Sequence, residues 1–294
     1  MRIAVLLTCY NRKEKTLKCL KSLNDTFKKT ESKHNLEVYL TDDGCTDGTS
    51  EAVLALDIDF VIHILKGSGS LYWNGGMNHS WKEAIKQGGF DGYLWLNDDT
   101  IVLDDFWNDI SGADEFAMER YGKKGIYVGS TCSSVDGCFT YGGFVFTTYW
   151  TLKDAFVLPN GKDFQPCQCA HGNITYISNE VVEEMGVLCD KYVHGGGDHD
   201  YTYLAYKAGF PILVMPHYCG ICDNDHGGEI LHFEQMSLNE RIKCLESPFG
   251  LNLSNTLLFN SRCFPLRVPF VWMMGYLKAL YPRFFYFVYR FLRR

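Results

Sequence analysis

The chain has 294 residues, 46% of them hydrophobic and 21% charged, with 8 prolines. That length and balance describe a folded α/β protein with a sizeable core, in one large domain or two smaller ones, and exclude a disordered or collagen-like chain. With 28 Lys and Arg against 35 Asp and Glu the formal charge is -7, so no nucleic-acid partner is expected.

In chain order, apolar runs at 3–7, 36–40, 60–65, 93–96 and 126–128 predict strands. Between them, residues 13–23 place Leu17, Leu20 and Leu23 at helical spacing, and 49–56 open a second helix after Asp47 and Gly48. This alternation is the signature of βαβ units around a mostly parallel, Rossmann-like sheet flanked by helices. Beyond residue 130 the pattern loosens. Segments 138–147 and 172–177 read as antiparallel or edge strands, 179–185 and 200–207 as short helices, and 210–215 as a strand closed by Pro216. The expected organisation is 1–130 and 131–246 as two halves of one domain, followed by a helical tail at 247–294.

The tail differs from the rest in chemistry. From Ser247 on there are seven Lys and Arg and no Asp or Glu, and from Phe264 on there are eleven aromatic residues. From Phe264 on the longest uncharged run, 268–277, is half the ~20 residues of a spanning helix. The composition predicts an amphipathic anchor lying on an anionic membrane surface. Arg267, Lys278, Arg283, Arg290, Arg293 and Arg294 would meet headgroups, and Trp272, Tyr276, Phe284, Phe287 and Phe291 would enter the interface. Pro265, Pro269 and Pro282 would divide it into short helices. Packing of the aromatics onto the protein or across a homodimer is the alternative. The first apolar run leads into Thr8-Cys9-Tyr10-Asn11 without a cleavage-type site, so the expected location is cytoplasmic, peripheral on the inner face of the cell membrane.

Twelve cysteines spread over a chain of this size suggest reduced thiols rather than a disulfide scaffold. Cys219 and Cys222, with Cys167, Cys169, His217 and His226 as partners, would be the alternative zinc site, but a single CxxC lacks the second well-spaced pair.

Three constellations carry chemistry. Asp42-Asp43-Gly44-Cys45-Thr46-Asp47-Gly48 ends the second strand, where a carboxylate can accept hydrogen bonds from a base or a ribose; a helix-capping turn explains the same residues. Asn97-Asp98-Asp99 ends the fourth strand, offering hard oxygen ligands to Mg²⁺ or Mn²⁺, or an N-cap. His194-Gly195-Gly196-Gly197-Asp198-His199-Asp200-Tyr201 presents Asp198 at a helix start, as a general base or as the cap itself.

Together with residues 3–11 these segments resemble family 2 inverting glycosyltransferases of the GT-A fold, and Gly67-Ser68-Gly69-Ser70-Leu71-Tyr72-Trp73-Asn74-Gly75-Gly76-Met77-Asn78 resembles bacterial rhamnosyltransferases and other cell-surface polysaccharide transferases. The resemblance implies a donor-binding half at 1–130 and an acceptor and catalytic half at 131–246. It places Thr8, Tyr10, Asp42 and Asp43 around the base of a UDP- or dTDP-sugar and Asp99 on a Mn²⁺ or Mg²⁺ ion. Asp198 would be the base that deprotonates a glycan or lipid-linked acceptor. Asp98 would touch the donor, as would Trp73 and Asn78, for which a core or rim aromatic and a helix-start residue are the alternatives; His226, with His217 as rival, would be a further metal ligand, or else an exposed loop histidine without a role. Asn97 and Gly197 stand where many members have Asp and Glu. A nucleotide-sugar-binding protein without catalysis, or a nucleotidyltransferase, is the competing class. The latter would show a Gly-rich loop after the first strand, where this chain has Thr8 to Glu14 without glycine.

Overall fold

The computed structural model describes residues 1–30, 34–224, 233–248 and 250–292, with 288–292 described by backbone alone. Strand β1 (Arg2–Cys9) shows why the sheet forms, because its alternating side chains feed two cores at once. Ile3, Val5, Leu7 and Cys9 enter one, and Ala4 and Leu6 the other. A fully buried aliphatic side chain of this kind contributes roughly 1.5–3 kcal/mol, so both registers of the alternation are held.

The chain continues through α1 (Lys13–Lys29), β2 (Asn35–Asp42), α2 (Thr49–Leu54), β3 (Val61–Lys66), α3 (Tyr72–Gln87), β4 (Gly92–Leu96), β5 (Ile101–Val102), α4 (Asp105–Tyr121) and β6 (Ile126–Cys132). Then follow β7 (Phe139–Tyr141), β8 (Gly143–Thr148), β9 (Lys153–Phe156), β10 (Gln165–Pro166), β11 (Cys169–Ala170), β12 (Ile174–Ser178), α5 (Asn179–Met185), α6 (Gly197–Lys207) and β13 (Ile212–Ile221). The large sheet runs β10-β13-β6-β12-β4-β1-β2-β3. Strands β3, β2, β1 and β4 are parallel, β12 is antiparallel to both β4 and β6, and β13 is parallel to β6. Strands β11, β8 and β9 make a second, small sheet. Helices α1 and α4 cover one face through Cys19, Leu20, Leu23, Phe106 and Trp107, and α3, α5 and α6 cover the other through Met77, Trp81, Val181 and Tyr201. This is the mixed α/β, GT-A type of architecture that the sequence predicts.

Two expected details are corrected. Pro216 does not close the last strand. Strand β13 runs on to Ile221 with register shifts between Val214 and Tyr218, because a residue without N–H breaks the ladder locally without ending the strand. Helix α6 begins at Gly197 rather than Asp200, which puts Asp198 in its first turn.

Two compact units are present: Met1–Lys191 with Gly197–Asp223, and Tyr192–Gly196 with Asn224–Arg294. The second therefore starts upstream of the composition break at Ser247. It contains α7 (Leu238–Glu246), α8 (Leu253–Cys263), α9 (Val268–Leu280) and α10 (Pro282–Leu292). A Ser237–Glu240 capping box starts α7, and Pro269 and Pro282 lie in the opening turns of α9 and α10. Leu245, Leu253 and Ala279 form its small core, with Val271 and Tyr276 against them. Among the described residues no helix is long and apolar enough to cross a membrane.

Candidate active site

The carboxyl ends of β2, β1 and β4 lie side by side, and the expected donor-site residues cluster there. Thr8, the penultimate residue of β1, packs under α3, where a Cβ on Gly76 would lie 2.0 Å from its Oγ1. Tyr10 is exposed. Asn11 adopts φ 51, a left-handed conformation that Asn tolerates, while its side chain accepts the N–H of Thr46 at 2.7 Å and joins the loop after β1 to the loop after β2.

Asp42 and Asp43 are both committed to backbone and loop. Asp42 accepts the Cys45 N–H at 2.7 Å and the Ser50 hydroxyl. Burial opposes its ionisation, but these bonds hold its carboxyl below the ordinary range. Asp43, 4% exposed, accepts the N–H groups of Gly69 (2.8 Å), Leu71 (2.8 Å) and Tyr72 (3.1 Å) and so fixes the segment leading into α3. Gly67 is required there, since a Cβ would lie 2.6 Å from the Asp43 Oδ1.

At the end of β4, Asp98 and Asp99 meet cations. The Arg12 guanidinium reaches Asp98 Oδ1 at 3.1 Å through one nitrogen and Asp99 Oδ2 through the other, and Lys15 Nζ lies 3.8 Å from the same Asp99 oxygen. Thr16 donates to Asp98, and the Cys222 thiol faces Asp99 Oδ1 at 3.6 Å. Burial pushes the Asp98 carboxyl up to about 7, against the pull of Arg12. Among the described residues no three His, Cys, Asp or Glu side chains gather into a metal-binding group. The described residues offer two carboxylates here, but both are paired with Arg12 and Asp99 also lies near Lys15, so they would have to exchange these cations to hold the expected Mn²⁺ or Mg²⁺. His226 lies outside the described residues. His217, its rival, is committed elsewhere: its ring and its backbone N–H both bond Asp109, at 2.9 and 3.0 Å, and that hydrogen bond raises the imidazole above its ordinary value.

Trp73 links this end of the sheet to Asp198. Its Nε1–H donates to Asn97 Oδ1 at 2.7 Å, and its ring edge fills the space a Cβ on Gly172 would need. Gly172 in turn donates its N–H to Asp198 Oδ2 at 3.0 Å, while Asp198 Oδ1 accepts the His199 N–H at 2.9 Å. Asp198 is thus held by two backbone donors. His199 Nε2 lies 4.0 Å from its Oδ2, and the His199 and His171 rings are 5.0 Å apart beside Phe144. Burial and the neighbouring His199 depress His171 to about 4.

Asn78, expected at the donor, is 3% exposed, and its amide donates to Leu188 O at 2.8 Å, so it packs α3 against the segment that follows α5. Arg12, Lys15, Gly172 and His171 were not singled out from sequence. Arg12 stood in plain view next to Asn11, but nothing in its spacing shows that it reaches across to β4. All twelve cysteines are free; Cys9 and Cys45 sulfurs approach to 3.8 Å, and Cys219 is buried against Met215.

Residues 4–116 match the sequence model described as glycosyl transferase family 2, a span that includes the ends of β1, β2 and β4 and stops short of Asp198. Comparison with curated protein sequences gives no match. Among solved structures, the chain is similar to S. aureus TarS 1-349 in complex with UDP-GlcNAc, with 13% identity, a TM-score of 0.56, and coverage of 95% of this chain and 80% of that one. The TarS 1-349 crystal structure without a named ligand gives 14% identity and a TM-score of 0.52, covering 96% and 82%. Similarity extends to the mannosyltransferase PcManGT from Pyrobaculum calidifontis in complex with GDP-Man and Mn²⁺, at 15% identity and a TM-score of 0.49, covering 95% and 75%. At such identities the TarS likeness is one of fold.

Proposed function

We propose that the protein moves a sugar from a nucleoside diphosphate sugar to a hydroxyl of a glycan or lipid-linked acceptor, with inversion, in the synthesis of a surface polysaccharide. The observation that carries this reading is the Trp73 link, which sets Asp198 beside the end of β4 within the same unit. The family match at 4–116 supports the donor class, and UDP-GlcNAc in a TarS complex is consistent with it. The 67–78 segment supports a polysaccharide transferase of the rhamnosyltransferase kind.

In the proposed reaction the acceptor oxygen forms a bond to the anomeric carbon while the bond from that carbon to the β-phosphate oxygen breaks. The electron pair stays on the leaving diphosphate, and the acceptor proton passes to Asp198. Its two backbone donors, Gly172 and His199, orient the carboxylate. Attack opposite the departing group inverts the centre without a covalent sugar intermediate.

The test is a donor screen. Purified protein is given UDP-, dTDP- and GDP-sugars with lipid-linked and soluble glycan acceptors, in EDTA and in Mn²⁺, and nucleoside diphosphate release is measured. Acceptor-dependent release from one donor class is expected; binding of donor without release under any condition would leave only the binding-protein reading standing.

We also propose a peripheral membrane position for the tail. Trp272, Phe284 and Phe287 are 55, 54 and 72% exposed, as an in-plane anchor requires. Its charge is sparser than the sequence suggests. Arg267 is buried on Asn260 Oδ1 at 2.6 Å, and Lys278 is half-buried over Phe233, Phe285 and Tyr286. Tyr276 packs into the small core, and Arg283 is the exposed cation among the described tail side chains that were expected to meet headgroups. The side chains of Arg290, Phe291, Arg293 and Arg294 lie outside the description.

A further inference from the structure

We propose that Arg12 is a diphosphate-binding residue, assisted by Lys15, and that it takes up the charge that builds on the diphosphate as the sugar leaves; this rests on the transferase reading above. The sequence assigns that task to a metal held by Asp99. The described residues instead place two of the chain's own cations against that carboxylate.

Arg12 follows β1 by three residues, beside the crevice between β1 and β4, where the strand order turns and open sheets bind ligands. The preceding backbone is fixed by the bonds from Thr46 to Asn11. The guanidinium is oriented from below by Asp98 and Asp99, while 38% of its side chain stays open to solvent, as does 48% of that of Lys15. A guanidinium has five N–H donors, and the two carboxylates engage one terminal nitrogen each, so at least three donors are left for a ligand. Phosphate oxygens match that fork, and a fork already held in place loses little side-chain freedom on binding them.

Charge balance favours the same assignment. Two carboxylates alone at the end of β4 would repel a nucleoside diphosphate; paired with Arg12 and Lys15 they do not. When the carbon–oxygen bond breaks, the electron pair moves onto the β-phosphate oxygen, and N–H donors already aimed at that group stabilise the added charge without reorganising.

The test separates phosphate binding from a purely structural ion pair by counting phosphates. Uridine, UMP and UDP, with the thymidine and guanosine series, are titrated calorimetrically in EDTA and in Mn²⁺ into the wild type, Arg12→Ala and Arg12→Lys, with unfolding midpoints measured in parallel. Wild type should bind one diphosphate more tightly than its nucleoside. Arg12→Ala should weaken the diphosphate by ~10-fold or more, the scale of a hydrogen bond to a charged group, and leave the nucleoside within about twofold. Arg12→Lys, which keeps the charge and loses the fork, should fall between, and it carries the test if Arg12→Ala does not fold. An equal loss for nucleoside and diphosphate, an unchanged diphosphate affinity, or a wild-type phosphate advantage that vanishes in EDTA would each overturn the proposal. A wild type that binds none of the nine compounds in EDTA but binds them in Mn²⁺ would overturn the proposal alone, and one that binds none in either condition would bring down the transferase reading itself.

Discussion

Asp42, Asp43 and Asp99 each stand at the end of an apolar strand, and in sequence nothing tells them apart; their partners do. Asp42 and Asp43 are occupied by the loops around them, whereas Asp99 faces cations, and Asp198 is held by two backbone N–H groups from opposite sides. As the proposed base, Asp198 would act on the acceptor and not on the nucleotide. Asp198→Asn is therefore expected to lower turnover by ~10²-fold or more while donor affinity, read by calorimetry, stays near wild type. His217 serves a different end. Its folded value is raised by Asp109, so the ion pair's contribution is complete below the ordinary value of about 6.5 and is lost as pH rises through the raised value. The wild type should exceed His217→Gln in unfolding midpoint by more at about pH 5.5 than at about pH 9, and an equal gap at both would rule the pair out. The motif positions were legible because strand ends announce themselves in an apolar pattern. Pairings such as Arg12 with Asp99 or His217 with Asp109 join residues 87 and 108 positions apart and leave no local trace.

The strands and helices of the first 130 residues were readable from their apolar patterns: β1 as an unbroken apolar run buried on both faces, α1 by Leu20 and Leu23 at helical spacing. Where one residue outweighed the pattern, the reading slipped, as at Pro216, whose lost hydrogen bond is absorbed by a register shift. Glycines inside helices show how context reverses a propensity. In α3, Gly76 sits so close to Thr8 that a methyl group would force the helix off β1, so Gly76→Ala should cost roughly 1–3 kcal/mol. In α4, Gly112 has open space around it, and Gly112→Ala should gain roughly 0.5–1 kcal/mol through helix propensity. Urea unfolding of the two variants measures both; the same sign for each would contradict the packing argument.

Across the whole chain, the basic tail belongs to a helical unit with its own small core, so a membrane test by truncation would strip Ala279, Val271 and Tyr276 from Leu245 and Leu253. Substituting the exposed residues is cleaner. Trp272→Ser with Phe284→Ser and Phe287→Ser should abolish flotation with anionic liposomes at unchanged unfolding midpoint, and a wild type that never floats would remove the membrane from the account. The other unit carries a consequence of β1. That strand is shared by both cores, and the strands formed after residue 130 close the same sheet, so neither layer can melt while the other stands. Its backbone amides at 3–7 should exchange with solvent only when the entire unit opens, slower than those of α2 or the β8–β9 hairpin. The loops that end β1, β2 and β4 would then inherit the cooperativity of the whole sheet, and a perturbation that loosens any one layer would register at the candidate donor site as a loss of the folded population rather than as a change in its shape.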